Sequence, residues 1–201
     1  MQSCTAWCGP TEKAVEPPDE PGGPSRVIQA LGIKMAVTLR PFFAKDLQQH
    51  LAWAEAIDAR RYMSRIFPTR FDGHSTENNP YFCWFVAVND DVDVGSVWLE
   101  KENVDDNVIQ LGILIGREDL WGKGIGRKAI EQAILSSQPV LKASTVRLNV
   151  RKNNMHAQAC YTACGFYEVS QGFKTNEHSE RIEFFTMERK IPNNRVNQTL
   201  A

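Results

Sequence analysis

The sequence has no apolar run approaching the ~20 residues that a bilayer-spanning helix needs, and its start lacks the basic-then-apolar pattern of an export signal. Both absences predict a soluble, cytoplasmic protein with no membrane partner. Charge of one sign is lacking too. The 23 Lys and Arg are balanced by 24 Asp and Glu, for a net charge of −1, and no Lys/Arg-rich run is present. Nucleic-acid binders neutralise phosphates with a basic stripe, so nucleic acid is not an expected partner. The five cysteines (Cys4, Cys8, Cys83, Cys160, Cys164) make an odd number in a chain without an export signal, which argues against a disulfide framework. No internal repeat is visible.

What is present suffices for one domain: 201 residues, 42% of them hydrophobic, can close a sizeable core. Residues 1–34 are rich in Pro and Gly and show no hydrophobic period, so they read as a disordered extension. Residues 35–191 read as the folded domain and 192–201 as a tail.

From Val37 to Leu39 the chain reads as a short strand. Leu47, Leu51, Ala54 and Ile57 then recur at helical spacing, and Pro68 bars further helix. A polar stretch from Phe71 to Pro80 reads as a loop. Apolar runs from Phe82 to Val88, Val94 to Glu100 and Val108 to Ile115, separated by Asn89-Asp90-Asp91 and Asp105-Asp106-Asn107, predict an antiparallel meander. Ile125, Ala129, Ile130, Ala133 and Ile134 predict a helix ended by Ser136, Ser137 and Pro139. Val146, Leu148 and Val150 alternate as a strand, Asn154 to Ala163 reads as a short helix capped by Gly165, and strands follow at Phe166 to Val169 and Ile182 to Met187. The predicted order is β-α-β-β-β-α-β-α-β-β, an α/β (α+β) domain with a mixed sheet.

Chemistry concentrates in two segments. The first, Trp121-Gly122-Lys123-Gly124-Ile125-Gly126-Arg127, opens a helix directly after a strand and short loop. Free N–H groups and the helix dipole converge at such a place, and glycines let a phosphate approach the backbone. By itself this is equally a glycine-rich turn without a ligand. It is neither a dinucleotide fingerprint, which needs glycine where Arg127 stands, nor a P-loop. The second segment runs Asn154-Met155-His156-Ala157-Gln158-Ala159-Cys160-Tyr161-Thr162-Ala163-Cys164-Gly165-Phe166.

A glycine-rich loop after a strand, followed by Asn-x-x-Ala-x-x-x-Tyr-x-x-x-Gly-Phe, resembles the GNAT superfamily of N-acetyltransferases over roughly residues 35–190. Within it, the run from Ile109 to Gly126 is similar to the branch of ribosomal-protein N-terminal, spermidine and aminoglycoside acetyltransferases. The resemblance implies a GNAT-like, mostly antiparallel sheet flanked by helices, with acetyl-CoA as cosubstrate and no metal. It places the CoA pyrophosphate on Trp121, Gly122, Lys123, Gly124, Ile125, Gly126 and Arg127. Trp121 departs from the usual Gln or Arg, but the contacts are backbone ones. Ile113, Leu114 and Ile115 correspond to the splayed strand that pairs with the pantetheine arm, and Asn154 to a cofactor-contacting asparagine that also suits a helix N-cap.

Tyr161 matches the family's general acid, and a phenol with a pKa of about 10 is protonated at neutral pH and able to donate to a departing thiolate. Relatives carry a glutamate base on the fourth or fifth strand. Here those positions are Gln110 and Asn149, whose amides do not accept protons usefully. Glu100, Glu118 and Asp119 are the nearby carboxylates, each more often a solvated surface charge, and a water relay is an equal alternative. The stripe His156, Cys160, Cys164 spans ~12 Å at 1.5 Å per residue, too far to wrap one ion, so packing cysteines are expected.

The expected acceptor is a primary amine of a small molecule or a protein N-terminus. It would be shaped by segments near Met63 to Pro80 and Gly172 to Glu180, whose mild acidity suits a cationic amine. The other reading is a non-catalytic acyl-CoA-binding sensor or scaffold. A homodimer is compatible with the sequence, which does not fix the oligomeric state.

Overall fold

Alternation along strand β4 (Val108–Ile115) sends Ile109 and Leu111 to one face of a sheet and Gly112 and Leu114 to the other, and both faces are covered. The computed structural model describes residues 37–73, 76, 79–175 and 179–192. The extension expected over residues 1–34 lies outside these, as do residues 193–201 of the expected tail.

The elements are β1 (Val37–Pro41), α1 (Leu47–Ala56), β2 (Phe82–Asn89), β3 (Val92–Glu100), β4, α2 (Ile125–Leu141), β5 (Thr145–Arg151), α3 (Met155–Ala163), β6 (Tyr167–Thr175) and β7 (Arg181–Lys190). Short 3-10 turns lie at Ala44–Asp46, Ala59–Arg61 and Glu118–Leu120. This is the order read from the sequence. The seven strands form one sheet in the order β1-β2-β3-β4-β5-β7-β6, antiparallel throughout except between β4 and β5.

On one face, Ile125, Ala129, Ile130, Ala133, Ile134 and Leu141 of α2 pack on Val97, Leu99, Ile109 and Val146. On the other, Trp53, Ala54 and Ile57 pack on Trp84, Trp98 and Leu114. The second layer depends on two glycines of β4 and its end. A Cβ on Gly112 would meet the Trp98 ring at 2.1 Å, and one on Gly116 would meet Trp53 Cγ at 2.1 Å. Gly116→Ala is therefore expected to cost about 1–3 kcal/mol through overpacking, since neither backbone nor indole can retreat within a packed layer. The check is the urea midpoint, and an unchanged midpoint would show that Trp53 does not rest on β4.

Three sequence expectations need correction. The α2 helix passes through Ser136, Ser137 and Pro139 to Leu141. Proline removes one bond, to the carbonyl of Leu135, which lies on an exposed turn, and the end is fastened instead by fully buried Leu141 and by Lys142 N–H donating to Gln138 O at 3.0 Å. Leu51 does not face the core. The buried side of α1 is His50, Trp53 and Ala54, with Ile57 just past its end, and Leu51 is 45% exposed. Strand β6 runs on to Thr175, six residues past the predicted end at Val169, because its ladder with β7 continues to the pair Thr175 and Arg181.

His50, invisible to a hydrophobic period, is fully buried against Phe42 and Trp84. Its Nε2 lies 2.6 Å from Ile66 O and its Nδ1 3.0 Å from Ser96 Oγ. A carbonyl only accepts, so Nε2 carries the proton and Nδ1 accepts from the serine hydroxyl. The imidazole thereby ties the segment after α1 to the core, and burial pushes its pKa below the ordinary 6.5. With a depressed folded value, the unfolded chain binds the proton first. The stability contributed by neutral His50 is complete above about pH 6.5 and is lost as pH falls below it. The wild-type urea midpoint is expected to drop between pH 7.5 and 5.5 more steeply than that of His50→Gln; equal slopes would remove His50 from the acid response.

Candidate active site

The ladder between β4 and β5 has only three rungs: Val108, Ile109 and Gln110 pair with Thr145, Val146 and Arg147. Beyond Gln110 the strands part. Gly116 N–H donates to Val94 O at 2.9 Å, so by strand alternation Gly112 and Leu114 also turn their backbone toward β3. Leu111, Ile113 and Ile115 turn theirs into the gap. The Trp121 indole N–H fills one of these acceptors, bonding Ile115 O at 3.0 Å.

Below the gap, α2 begins with its first-turn N–H groups uncapped by any side chain. Gly122 and Gly124 sit at φ +75° and +81°, the left-handed region that suits glycine, and no atom lies within 4 Å of where a Cβ would stand on either. Gly126 serves differently. It is helical, and a Cβ there would meet Cys160 Sγ at 3.5 Å, so it sets the approach of α3 to α2.

Helix α3 enters through Asn154, whose Oδ1 accepts from Ala157 N–H at 3.1 Å as an N-cap. It leaves through Gly165 at φ +81°, where Phe166 N–H donates to Tyr161 O at 3.0 Å. Between these ends Tyr161 is held by an edge contact with Phe166, ring centroids 6.0 Å apart. Its hydroxyl makes no hydrogen bond among the described residues. Burial, reinforced by the neighbouring Cys160 and Cys164, pushes the phenol well above its ordinary pKa of 10. Cys160 is drawn the other way, its thiol held below the ordinary value by the Cys164 hydrogen bond and the Arg127 charge.

These pieces enclose one cavity of about 610 Å³. Of the residues singled out in the sequence, Ile113, Ile115, Trp121, Gly122, Lys123, Gly124, Ile125, Gly126, Arg127, Asn154 and Tyr161 all line it. Leu114 does not: it is buried on the opposite face with Trp53 and Trp98. Sequence reasoning did not assign Ile57, Tyr62 and Leu120 to the wall, and had no means to, since they arrive through tertiary packing; Tyr62 stands edge-on to Trp121 at 5.8 Å. His156 and Cys160 also line the wall, whereas Cys164 is buried in the core.

The carboxylates fall elsewhere. Glu100 is not a solvated charge: its side chain is 6% exposed, ion-paired with Arg65, and accepts from Thr69 N–H at 2.7 Å. Asp119 is exposed and bonded by Arg117 at 2.7 Å, which holds its carboxyl below the ordinary range and weakens it as a base. Asn149 Oδ1 accepts from the Thr186 hydroxyl at 2.9 Å.

The profile of the acetyltransferase (GNAT) domain matches residues 36–167. An uncharacterized protein of Methanocaldococcus jannaschii is 24% identical over 149 residues, 71% of this chain and 30% of the relative, so the chain spans under a third of that protein's length. Among solved structures, spermidine N-acetyltransferase from Vibrio cholerae, in complex with CoA and spermine, is similar with a TM-score of 0.63 at 21% identity, covering 77% of this chain and 95% of that one. A putative acetyltransferase from Salmonella typhimurium with its cofactor acetyl-CoA gives 0.62 at 15% identity, covering 80% and 96%. No helix among the described residues is long and apolar enough to cross a membrane. With that domain matched over most of the described fold, and the same fold in solved acetyltransferases, the chain belongs to the GNAT family of acetyltransferases.

Proposed function

We propose that the chain is an N-acetyltransferase that moves the acetyl group of acetyl-CoA to a primary amine by direct attack. The observation that carries this reading is that a parted strand edge, an open glycine turn at an uncapped helix start and a tyrosine meet in one cavity. The residues fit the cosubstrate. Uncapped N–H groups and the dipole of α2 suit a pyrophosphate, and the clear space over Gly122 and Gly124 admits it against the backbone. The gap-facing backbone of Leu111 and Ile113 suits the amides of a pantetheine arm, and Asn154 lines the same cavity as Ile113.

Acetyl-CoA supplies an activated thioester carbonyl when bound. The protein's share is to hold that carbonyl and the amine together, which lowers the barrier by pre-orienting both, and to hold a proton for the leaving sulfur. We assign the second task to Tyr161, which lines the cavity. Burial keeps it protonated across the physiological range, so it stands in the form that has a proton to donate. No carboxylate is assigned as base, because Glu100 and Asp119 are engaged by arginines and Gln110 and Asn149 are amides. Deprotonation of the incoming ammonium then passes to water.

The test is calorimetric titration with acetyl-CoA followed by thiol release across an amine panel. Micromolar binding with amine-dependent thiol release is expected. Binding without turnover on any amine would favour an acyl-CoA sensor, and no binding by folded protein would remove the reading.

A further inference from the structure

Two cations converge beside the cavity on a single segment, residues 60–64, whose Tyr62 forms part of the cavity wall. Arg151, the last residue of β5, donates from Nη2 to Arg60 O at 2.6 Å, and Lys174 of β6 donates from Nζ to the Ser64 hydroxyl. The sheet register explains the meeting. Phe184 of β7 pairs with Arg151 on one side and Gly172 on the other, placing all three in one row, and Lys174 is two residues along β6 on the same face. Gly172 leaves room for the Phe184 ring, which a Cβ there would strike at 2.9 Å.

Among the described residues the pair lacks an ion-pair partner. Asp58 pairs with Arg61 and Glu100 with Arg65, and no ion pair joins Arg151 or Lys174 to a carboxylate among the described residues. Arg151 Nε is buried without a hydrogen-bond partner. Partial desolvation and, after it, the nearby Arg151 charge push the Lys174 ammonium below its ordinary pKa. Such an arrangement is relieved by an anion, to which each side chain still has donors to offer.

We propose that the acceptor amine carries an anionic group, a carboxylate or a phosphate, and that Arg151 and Lys174 bind it at the side of the cavity walled by Tyr62. This rests on the acetyl-transfer reading above and narrows its acceptor. It departs from the sequence expectation of a cationic amine, and Glu100, a buried carboxylate near this segment, is already neutralised by Arg65. A polyamine would meet two positive charges here.

The test compares matched acceptors, L-methionine, L-phenylalanine and L-glutamate against their α-carboxamides, and O-phosphoethanolamine against ethanolamine, in wild type, Lys174→Met, Lys174→Arg and Arg151→Gln. The wild type is expected to prefer the anionic member of a pair by about ten- to hundredfold in kcat/KM, as a charge-assisted contact warrants. Carboxylate pairs and the phosphate pair distinguish the two sources. Lys174→Met should raise KM for the anionic member alone, Lys174→Arg should restore it, and the amide members should be unaffected. Equal use of both members would overturn the inference and leave acetyl transfer standing; no turnover of any of them while acetyl-CoA still binds would overturn it as well, and the wider amine panel then decides between acetyl transfer and an acyl-CoA sensor. Weaker acetyl-CoA binding in Lys174→Met and Arg151→Gln would reassign the cations to the cosubstrate and also overturn it. Failure of the wild type to bind acetyl-CoA would instead remove the parent reading. Arg151→Gln also loses a loop contact, so its thermal midpoint is read alongside, and Lys174→Met decides if that variant does not fold.

Discussion

Replacing Gly124 by glutamate is expected to abolish acetyl-CoA binding at concentrations where wild type saturates, with the fold retained. Gly124 stands at φ +81° as the residue before α2, and the space where its side chain would grow is empty. A glutamate there carries about 1–2 kcal/mol of left-handed backbone strain, which a domain of ordinary stability survives. The larger effect is on the ligand. The new carboxylate projects into the cavity and brings a negative charge to the helix start where the pyrophosphate is proposed to lie. Displacing one phosphate contact costs about ten- to hundredfold in affinity, and the charge repulsion adds to that loss. Calorimetry reads it directly, with circular dichroism as the control for folding. Undiminished binding in Gly124→Glu would place the pyrophosphate elsewhere, whatever the amine.

The second large effect is on turnover. Tyr161→Phe removes one hydroxyl from a ring whose position is fixed by Phe166 and by the α3 backbone, so packing changes little. The acetyl-CoA dissociation constant should stay within experimental error, while kcat falls by about 10²–10⁴-fold, the range for a positioned acid. Because burial raises the tyrosine's pKa, its titration should not appear as a falling limb of the wild-type rate below about pH 10. An unchanged kcat in Tyr161→Phe would reduce Tyr161 to a wall residue.

The core of the fold was readable because its signals are local. Alternation in Val146, Leu148 and Val150 and helical spacing in Ile125, Ala129, Ile130, Ala133 and Ile134 each reflect a face that becomes buried, and all eight are buried. Caps at Asn154 and Gly165 were legible for the same reason, since a cap is chemistry within one turn. Pro139 misled because a proline near a helix end removes a single bond, and a buried Leu141 outweighs it. Glu100 misled because burial of a carboxylate depends on the distant Arg65 and Thr69, which no window of sequence contains. Leu114 was swept in with its neighbours, although strand alternation alone turns its side chain and backbone away from the gap that Ile113 and Ile115 face. The cation pair was beyond reach for a further reason: Arg151 and Lys174 lie on strands that meet only through β7, which comes last in the chain.

The three-rung joint between β4 and β5 has a mechanical meaning. Strands β1 to β4, with α2 laid on them, form one leaf; β5, β7 and β6 form another, and α3 follows from β5. The cavity draws its glycine turn from the first leaf and Asn154 and Tyr161 from the second. A molecule that grips both walls therefore acts as a rivet across the least-stitched seam of the sheet, and the resistance of the protein to being pulled open along that seam rises with its occupancy.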